Sequence, residues 1–333
     1  MKAFSFNVLD SKLYNKIAIL VNLAISKFVI LFIVALLTFF VLRLIPGDPV
    51  DFMLGGENDP DVAARLRHEL ALDRSIPFQF VSWLRRIIVG DWGYSYIIGN
   101  DVIDLVFDAI QVTLSLTILA FVGSVSMALI IGLICAYFRG RWIDISFSMI
   151  SAMGYAAPSF WIGILLAWLL GEKLGLFPVI GYTPFFQDPI QSVYHLVLPV
   201  ITLTIYYGGL MSRVVRSTVI ETMQQDFILA AKLRGVTGWR LLFGHILPYS
   251  AVPILTIAGL TLGQLFGGAV LTETVFSLPG IGRLMTDAII HRDYLVVQGS
   301  ILLTGTLFII INAVVDALYA YLDPRINQRL YVD

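Results

Sequence analysis

The sequence predicts an all-α integral membrane protein with six transmembrane helices. Three observations carry that expectation. Hydrophobic residues make up 58% of the 333-residue chain and charged residues only 14%, against roughly half and a quarter in soluble domains; mean hydropathy is +0.85. Six apolar runs approach or exceed the roughly 20 residues that cross the hydrocarbon core. Basic residues gather in alternate connections between those runs.

The elements follow in order. Apolar character begins at Ile17, but a span centred there would hold Lys27 near mid-membrane, at about 2.5 to 3.5 kcal/mol. Residues 1–27 are therefore read as a cytoplasmic N-terminal segment, with Leu13 to Ile25 interfacial, and 28–46 as the first span. The loop 47–109 is too long for a simple connection. Its run from Asp61 to Leu70 and the stretch FQFVSWLRRIIVGDWGYSY read as amphipathic helices on the extracytoplasmic face, with Trp83 and Trp92 packed against the membrane. A core region, 110–320, holds spans at 110–137, 145–170, 194–213, 249–270 and 297–320, and a cytoplasmic tail, 321–333, closes the chain.

Orientation comes from the positive-inside rule. Lys2, Lys12, Lys16 and Lys27, then Arg139 and Arg141, then Arg213, Arg216, Lys232, Arg234 and Arg240, then Arg325 and Arg329 all fall on one side. That side is the cytoplasm, with both termini on it. The N-terminal apolar stretch runs too long for a signal peptide.

Several classes of function are disfavoured. A net charge of -1 argues against nucleic acid as a partner. The single cysteine, Cys135, forms no intrachain disulfide, and four histidines lack the spacing of a zinc site. No catalytic residues are assigned, because no metal pair or nucleophile with its base is apparent. No phosphate loop of the form G-x-x-x-x-G-K-[ST] occurs, so any ATP chemistry is supplied by another chain.

Within the spans, Pro248 and Pro253 bracket the start of the fifth. Gly259, Gly263 and Gly267 recur every four residues on one helical face, with Gln264 turned about 100° away. They are read as translocation pathway or partner packing. Thr113 and Thr117 share a face of the second span and are read as packing, with hydroxyls bonded back to their own helix. Asn312 and Asp316 lie four apart near the inner end of the sixth span, and the carboxylate is read in a structural hydrogen-bonded role rather than in proton transfer. Pro279, Gly280 and Gly282 form a tight outer turn; with Arg283 and Trp92 it is a candidate outer gate or docking element.

The least membrane-like stretch is DFILAAKLRGVTGWRLLFGHILP, Asp226 to Pro248. Residues 221–234 suit a helix, and Gly235 and Gly238 suit its termination. Ala230, Ala231 and Gly235 present small groups to which a partner backbone could come close. Composition alone makes this a basic cytoplasmic loop. Its pattern, however, resembles the cytoplasmic coupling motif of ATP-binding-cassette (ABC) importer permeases: Ala230, Ala231, Gly235, Leu247 and Pro248 occupy matching positions, and Leu229 stands where that motif has glutamate. The blocks RLIPGDPVDFML, GDWGYSY, APSFWIGILL, HLVLPVITL, SRVVRSTVIETMQQDF, ETVFSLPGIGRL, RDYLVVQG and VDALYAYLDPRI are similar, in order, to those of the dipeptide and oligopeptide permease family. Leu295 interrupts the Asp-Tyr-Pro-Val-Val pattern common there.

That resemblance implies the type I ABC importer permease fold, of the first-permease type. It implies a permease subunit of an ATP-driven, binding-protein-dependent importer in a bacterial or archaeal cytoplasmic membrane. Peptide is the substrate expected on frequency, among dipeptides, oligopeptides, glutathione, nickel complexes and oligosaccharides. The implied partners are a second homologous permease, two ABC ATPase subunits carrying ATP and Mg, an extracytoplasmic substrate-binding protein and the lipid bilayer. Asp226, Ala230, Ala231, Arg234, Gly235, Leu247 and Pro248 become the ATPase-coupling residues. The alternative is a self-sufficient ion-coupled secondary transporter, which would show related halves or broken helices around a midplane ion site.

Overall fold

A computed structural model describes residues 25–43, 50, 60–69 and 72–322. The expected interfacial segment before Ile25, the tail from residue 323, the basic residues Lys2, Lys12, Lys16, Arg325 and Arg329 and the side chain of Asp316 lie outside the described residues. Two compact units form: residues up to Val106 with Asp287–Ile309, and Phe107–Thr286 with the residues from Ile310 onward.

In the first unit, α1 (Ile25–Arg43) is apolar enough to span a membrane. It is followed by the helices α2 (Pro60–Glu69) and α3 (Ile76–Ile88), as the amphipathic pattern predicts. Phe39 of α1 is fully buried and meets Phe80 and Trp83 of α3 at ring-centroid distances of 5.2 and 5.5 Å. Trp83, expected against the membrane, is half-buried and packs on Phe39 and Phe80. The Arg43 guanidinium lies 3.5 Å above the Phe39 ring and donates to Gln79 Oε1 from Nε at 3.0 Å and from Nη2 at 2.7 Å. Gln79 in turn donates to the Arg74 carbonyl at 2.8 Å.

A small departure from all-α follows. Strands β1 (Tyr94–Ser95) and β2 (Asn100–Asp101) pair as a hairpin with Tyr94 opposite Asp101. The buried Ser95 hydroxyl accepts from the Ile98 amide at 3.0 Å and donates to Asp293 Oδ2 at 2.5 Å. Asp293 precedes α12 (Tyr294–Leu322) and caps it by accepting from the Val296 amide at 3.3 Å. Trp92 packs half-buried on Gly299 and Leu295 on Gly93. Both are internal contacts of this unit.

In the second unit, α4 (Val102–Tyr137), α7 (Pro189–Met223) and the helix Gly238–Val275 are long apolar spans, beginning earlier than their apolar runs suggest. The third span is not the continuous helix expected over 145–170. It consists of α5 (Trp142–Ala156) and α6 (Ser159–Leu166), the latter running on as a π-helical turn, Ala167–Lys173, with a bend of 102° between the halves. Pro158 is the cause: its ring drives the residue before it out of the helical region, and Ala157 has φ -81 and ψ 137.

Helix α7 is the central element, packed on α5 and on the Gly238–Val275 helix. Gly209 of α7 meets α5 so closely that a Cβ there would lie 2.6 Å from the Ser151 carbonyl oxygen. Small residues let membrane helices approach in this way without a hydrophobic driving force.

We expect Gly209→Ala to lower the melting temperature of the detergent-solubilised protein, by the equivalent of about 1 to 3 kcal/mol. Gly267→Ala, at a position with open space around it, should leave melting unchanged or raise it. A second expectation concerns pH. Burial pushes the Asp293 carboxyl up from its ordinary value of 3.8. Since the folded protein holds that proton more tightly than the unfolded chain, the contribution is full below the ordinary value and is lost as pH rises through the raised one. Melting curves collected from pH about 4 upward should fall less steeply for Asp293→Asn than for the parent chain.

Candidate functional site

The segment after α7 forms the helix α8 (Asp226–Leu233). Gln225 is extended and leads into it, with Asp226 in the first turn, where a negative charge complements the helix dipole. The helix ends in a Schellman motif: the Gly235 amide donates to the Lys232 carbonyl at 2.9 Å and the Val236 amide to the Ala231 carbonyl at 3.1 Å. This closure needs a left-handed residue, and Gly235 has φ +83.

No heavy atom lies within 4 Å of where a Gly235 Cβ would sit. Within this chain the need for Gly235 is conformational, and the space beside it is open to a partner backbone. Ala231 is reassigned, because it is buried with Ile228 rather than presented outward. These two side chains enter a cluster with Met211, Val215 and Val219 of α7, Ala128 and Ala136 of α4, and Ile254. Ala230 is half-buried, and its carbonyl accepts from Arg234 Nε at 3.3 Å.

The outward side of the segment is apolar at its centre and basic around it. Leu233 is 82% exposed, Trp239 73% and Leu229 58%, among Lys232, Arg234 and Arg240. Trp239 stacks on Phe243 at 5.5 Å and Phe227 meets Tyr249 at 4.8 Å. Sequence reasoning fixed on the small and basic residues and passed over this apolar set. The available signal was the density of Phe, Leu and Trp in a segment also carrying three basic residues.

Beyond α8, helix α9 (Gly238–Leu241) passes through a π-helical stretch, Leu242–Ile246, into α10 (Leu247–Val275). Pro248 was expected to open the fifth span; it lies instead inside a continuous helix that begins at Gly238. A proline in a helix loses one hydrogen bond and clashes with the carbonyl four residues back. The wider π turn immediately before it relieves that clash. The buried hydroxyls of Thr222 and Ser250, 2.9 Å apart, join the end of α7 to the start of α10.

At the other end of α10 is a buried carboxylate absent from the sequence-based site. Glu273 is fully buried; Oε1 accepts from the Thr113 hydroxyl at 2.6 Å, and Oε2 from the amides of Gly282 and Arg283 at 2.8 and 3.3 Å. Those amides begin α11 (Ile281–Ile290), so α10 caps α11 across the turn. The Ile281 amide donates to Thr113 Oγ1 at 2.9 Å, a tertiary role in place of the simple packing expected of Thr113. Gly280 is buried against the Glu273 carboxylate, and Arg283 donates to the Ser277 carbonyl at 2.6 Å. Of the turn residues proposed for docking, Pro279 is exposed and the others support the turn from within.

Residues 128–328, more than half of the chain, match the family described as binding-protein-dependent transport system inner membrane component. Residues 16–117 match the N-terminal membrane component of such systems. The chain belongs to this permease family. A Brucella suis protein named as a peptide transport system permease is 38% identical over 90% of this chain and 95% of its own length. The di/tripeptide transport system permease protein of Pseudomonas aeruginosa is 36% identical over 89% and 94%, and the glutathione transport system permease protein of Escherichia coli O1:K1 is 34% identical over 90% and 95%. A chain of the MetNI methionine ABC transporter, solved in inward-facing conformations, superposes with a TM-score of 0.55 over 66% of this chain and 96% of that one, at 17% identity. The fold is that of a type I ABC importer permease, a multi-pass protein of the inner membrane.

In this permease the candidate pathway residues on α10 do not share one environment. Gly259 is buried and Gly263 half-buried, whereas Gln264 and Gly267 lie on an exposed stripe with Pro253, Thr256 and Leu260. The glycine that permits close contact is Gly268, which sits against the Tyr207 hydroxyl; Tyr207 donates to the Gln264 carbonyl at 2.9 Å.

The Schellman closure is directly testable. Gly235→Ala places a Cβ in a left-handed conformation and should destabilise the segment by about 1 kcal/mol, while Gly235→Asn, which tolerates that conformation, should lose less. Limited proteolysis between Leu233 and Arg240 reads the difference.

Proposed function

We propose that this permease forms the translocation pathway of a peptide importer, paired with a second homologous permease and driven by two ABC ATPase subunits that bind ATP and Mg. The observation that carries the coupling part is the two-faced build of α8. One face, Ile228 and Ala231, is packed among three spans, while the other exposes Leu229 and Leu233. An apolar centre with a charged rim is the anatomy of a protein interface. Seated in an ATPase groove, α8 passes displacement directly into α4, α7 and α10, because closely packed elements move as rigid bodies. Asp226, Ala231, Gly235, Leu247 and Pro248 give the platform its shape; Ala230 and Arg234 border the contact.

The distribution of basic residues supports a cytoplasmic side for this segment and for both termini. An extracytoplasmic binding protein then delivers substrate to the opposite face. Gln264 and Gly267 face the pathway or the second permease, while Gly259 and Gly263 pack within the chain. Trp92, Gly280 and Arg283 hold the outer elements in place. Peptide is supported by the names of the relatives, several of which are peptide permeases and one a glutathione permease.

Leu233→Asp is the decisive substitution, since the side chain contributes little to this chain's own core. Substrate-stimulated ATP hydrolysis by the reconstituted complex should fall at least tenfold, about the effect of losing 1.4 kcal/mol of interface, with insertion unchanged. Retained stimulation places docking elsewhere. Uptake by the chain alone under an ion gradient, without ATP, would overturn the importer reading.

A further inference from the structure

A cavity of about 830 Å³ lies between α5 and α7, within the range of roughly 300 to 1,000 Å³ typical of ligand sites. The two helices run antiparallel, and the walls come from one face of each: Ile145, Met149 and Ala152 on α5, Leu210 and Val214 on α7. The lining also carries Ser148, Arg213 and Ser217.

The acid in the lining is already neutralised. Asp144 is paired with Arg216 through two hydrogen bonds, Nε to Oδ1 at 2.7 Å and Nη2 to Oδ2 at 2.8 Å, and Oδ2 also accepts from the Gly140 amide at 2.9 Å. Arg213 is exposed and, among the lining side chains described, is the cation outside that pair. The lining therefore carries one net positive charge among apolar side chains, of which Ile145 and Met149 are more than half exposed.

The depth of the cavity is marked independently. The turn joining α4 to α5 carries Tyr137 and Trp142, 76% and 74% exposed, together with Arg139 and Arg141. Exposed Trp and Tyr beside basic residues sit at the headgroup level of a bilayer, and basic pockets between spans suit anionic headgroups. Asp144 lies in the first turn after this belt, and the apolar walls continue inward from it.

We propose that this cavity binds an anionic phospholipid of the phosphatidylglycerol type, with the phosphate on Arg213 and an acyl chain along Ile145, Met149 and Val214. Ser148 donates to Asp144 Oδ1 at 3.3 Å and Ser217 to the Val214 carbonyl at 3.0 Å. Both oxygens are left to accept from a headgroup donor, and the preference over phosphatidylethanolamine, whose ammonium also donates, comes from the net negative charge of phosphatidylglycerol against Arg213. The site is independent of the coupling contact.

The test is native mass spectrometry of the intact transporter complex released from nanodiscs of equal phosphatidylglycerol and phosphatidylethanolamine. The parent complex should retain phosphatidylglycerol in preference. Arg213→Gln should lower that retention about fivefold, the effect of one cation near an anionic headgroup. Met149→Trp, which fills the cavity without changing charge, should lower it as well. Equal retention of the two lipids by the parent complex, or unchanged retention in both variants, overturns the proposal. So does efficient cross-linking of an Ile145→Cys complex to the second permease, which would make the cavity a protein interface.

Discussion

A backbone amide in hydrocarbon that finds no partner within its own helix finds none in solvent, and this constraint decides where the chain can bend. Each irregularity in the larger unit is accompanied by its own repair. Pro158 breaks the third span, and the next helix restarts immediately at Ser159. Pro248 is preceded by a π-helical turn that keeps the α9–α10 helix continuous. The buried donors at the start of α11, which lack a partner within that helix, are met by a carboxylate from α10 and a threonine from α4. Helix ends and breaks thus coincide with residues able to satisfy them.

The spans were legible in the sequence because burying about 20 apolar residues is a one-dimensional signal. Their ends were not, because a helix continues past its apolar run wherever tertiary contacts cover it. The cluster holding Leu241 and Ile246 extends the fifth span back to Gly238 in this way. The bend at Pro158 was open to view in APSFWIGILL, but an unbroken apolar run conceals a change of direction. Within the coupling segment, the spacing of Ala230, Ala231 and Gly235 marked the right region while the roles required coordinates. Small size suggests close approach, yet Ala231 is small because it is packed beneath α7, and Gly235 is a glycine because the helix stops there. Glu273 was missed for a related reason: its partners Thr113 and Gly282 are distant in sequence or hidden in a turn, and no periodicity links them.

These reassignments change how the proposed coupling is pictured. The contact does not rest on a few polar residues gripping an ATPase. A short helix is clamped from behind by three spans, and in the proposed contact its exposed leucines face the partner. Leu229, standing where the importer motif has an acid, fits such a surface: what that position lacks in charge it supplies in apolar area. The apolar face gives adhesion, while the basic rim orients the approach.

The Glu273 cap has a consequence for how the outer end can move. Pulling α11 away from α10 would strand a buried carboxylate and the donors of Gly282, Arg283 and Thr113 together, and each unmet partner costs about 1 to 3 kcal/mol. The end of α10 and the beginning of α11 therefore travel as one piece. Any opening at that end is a swing of this elbow as a whole, with flexibility displaced to whatever lies beyond it.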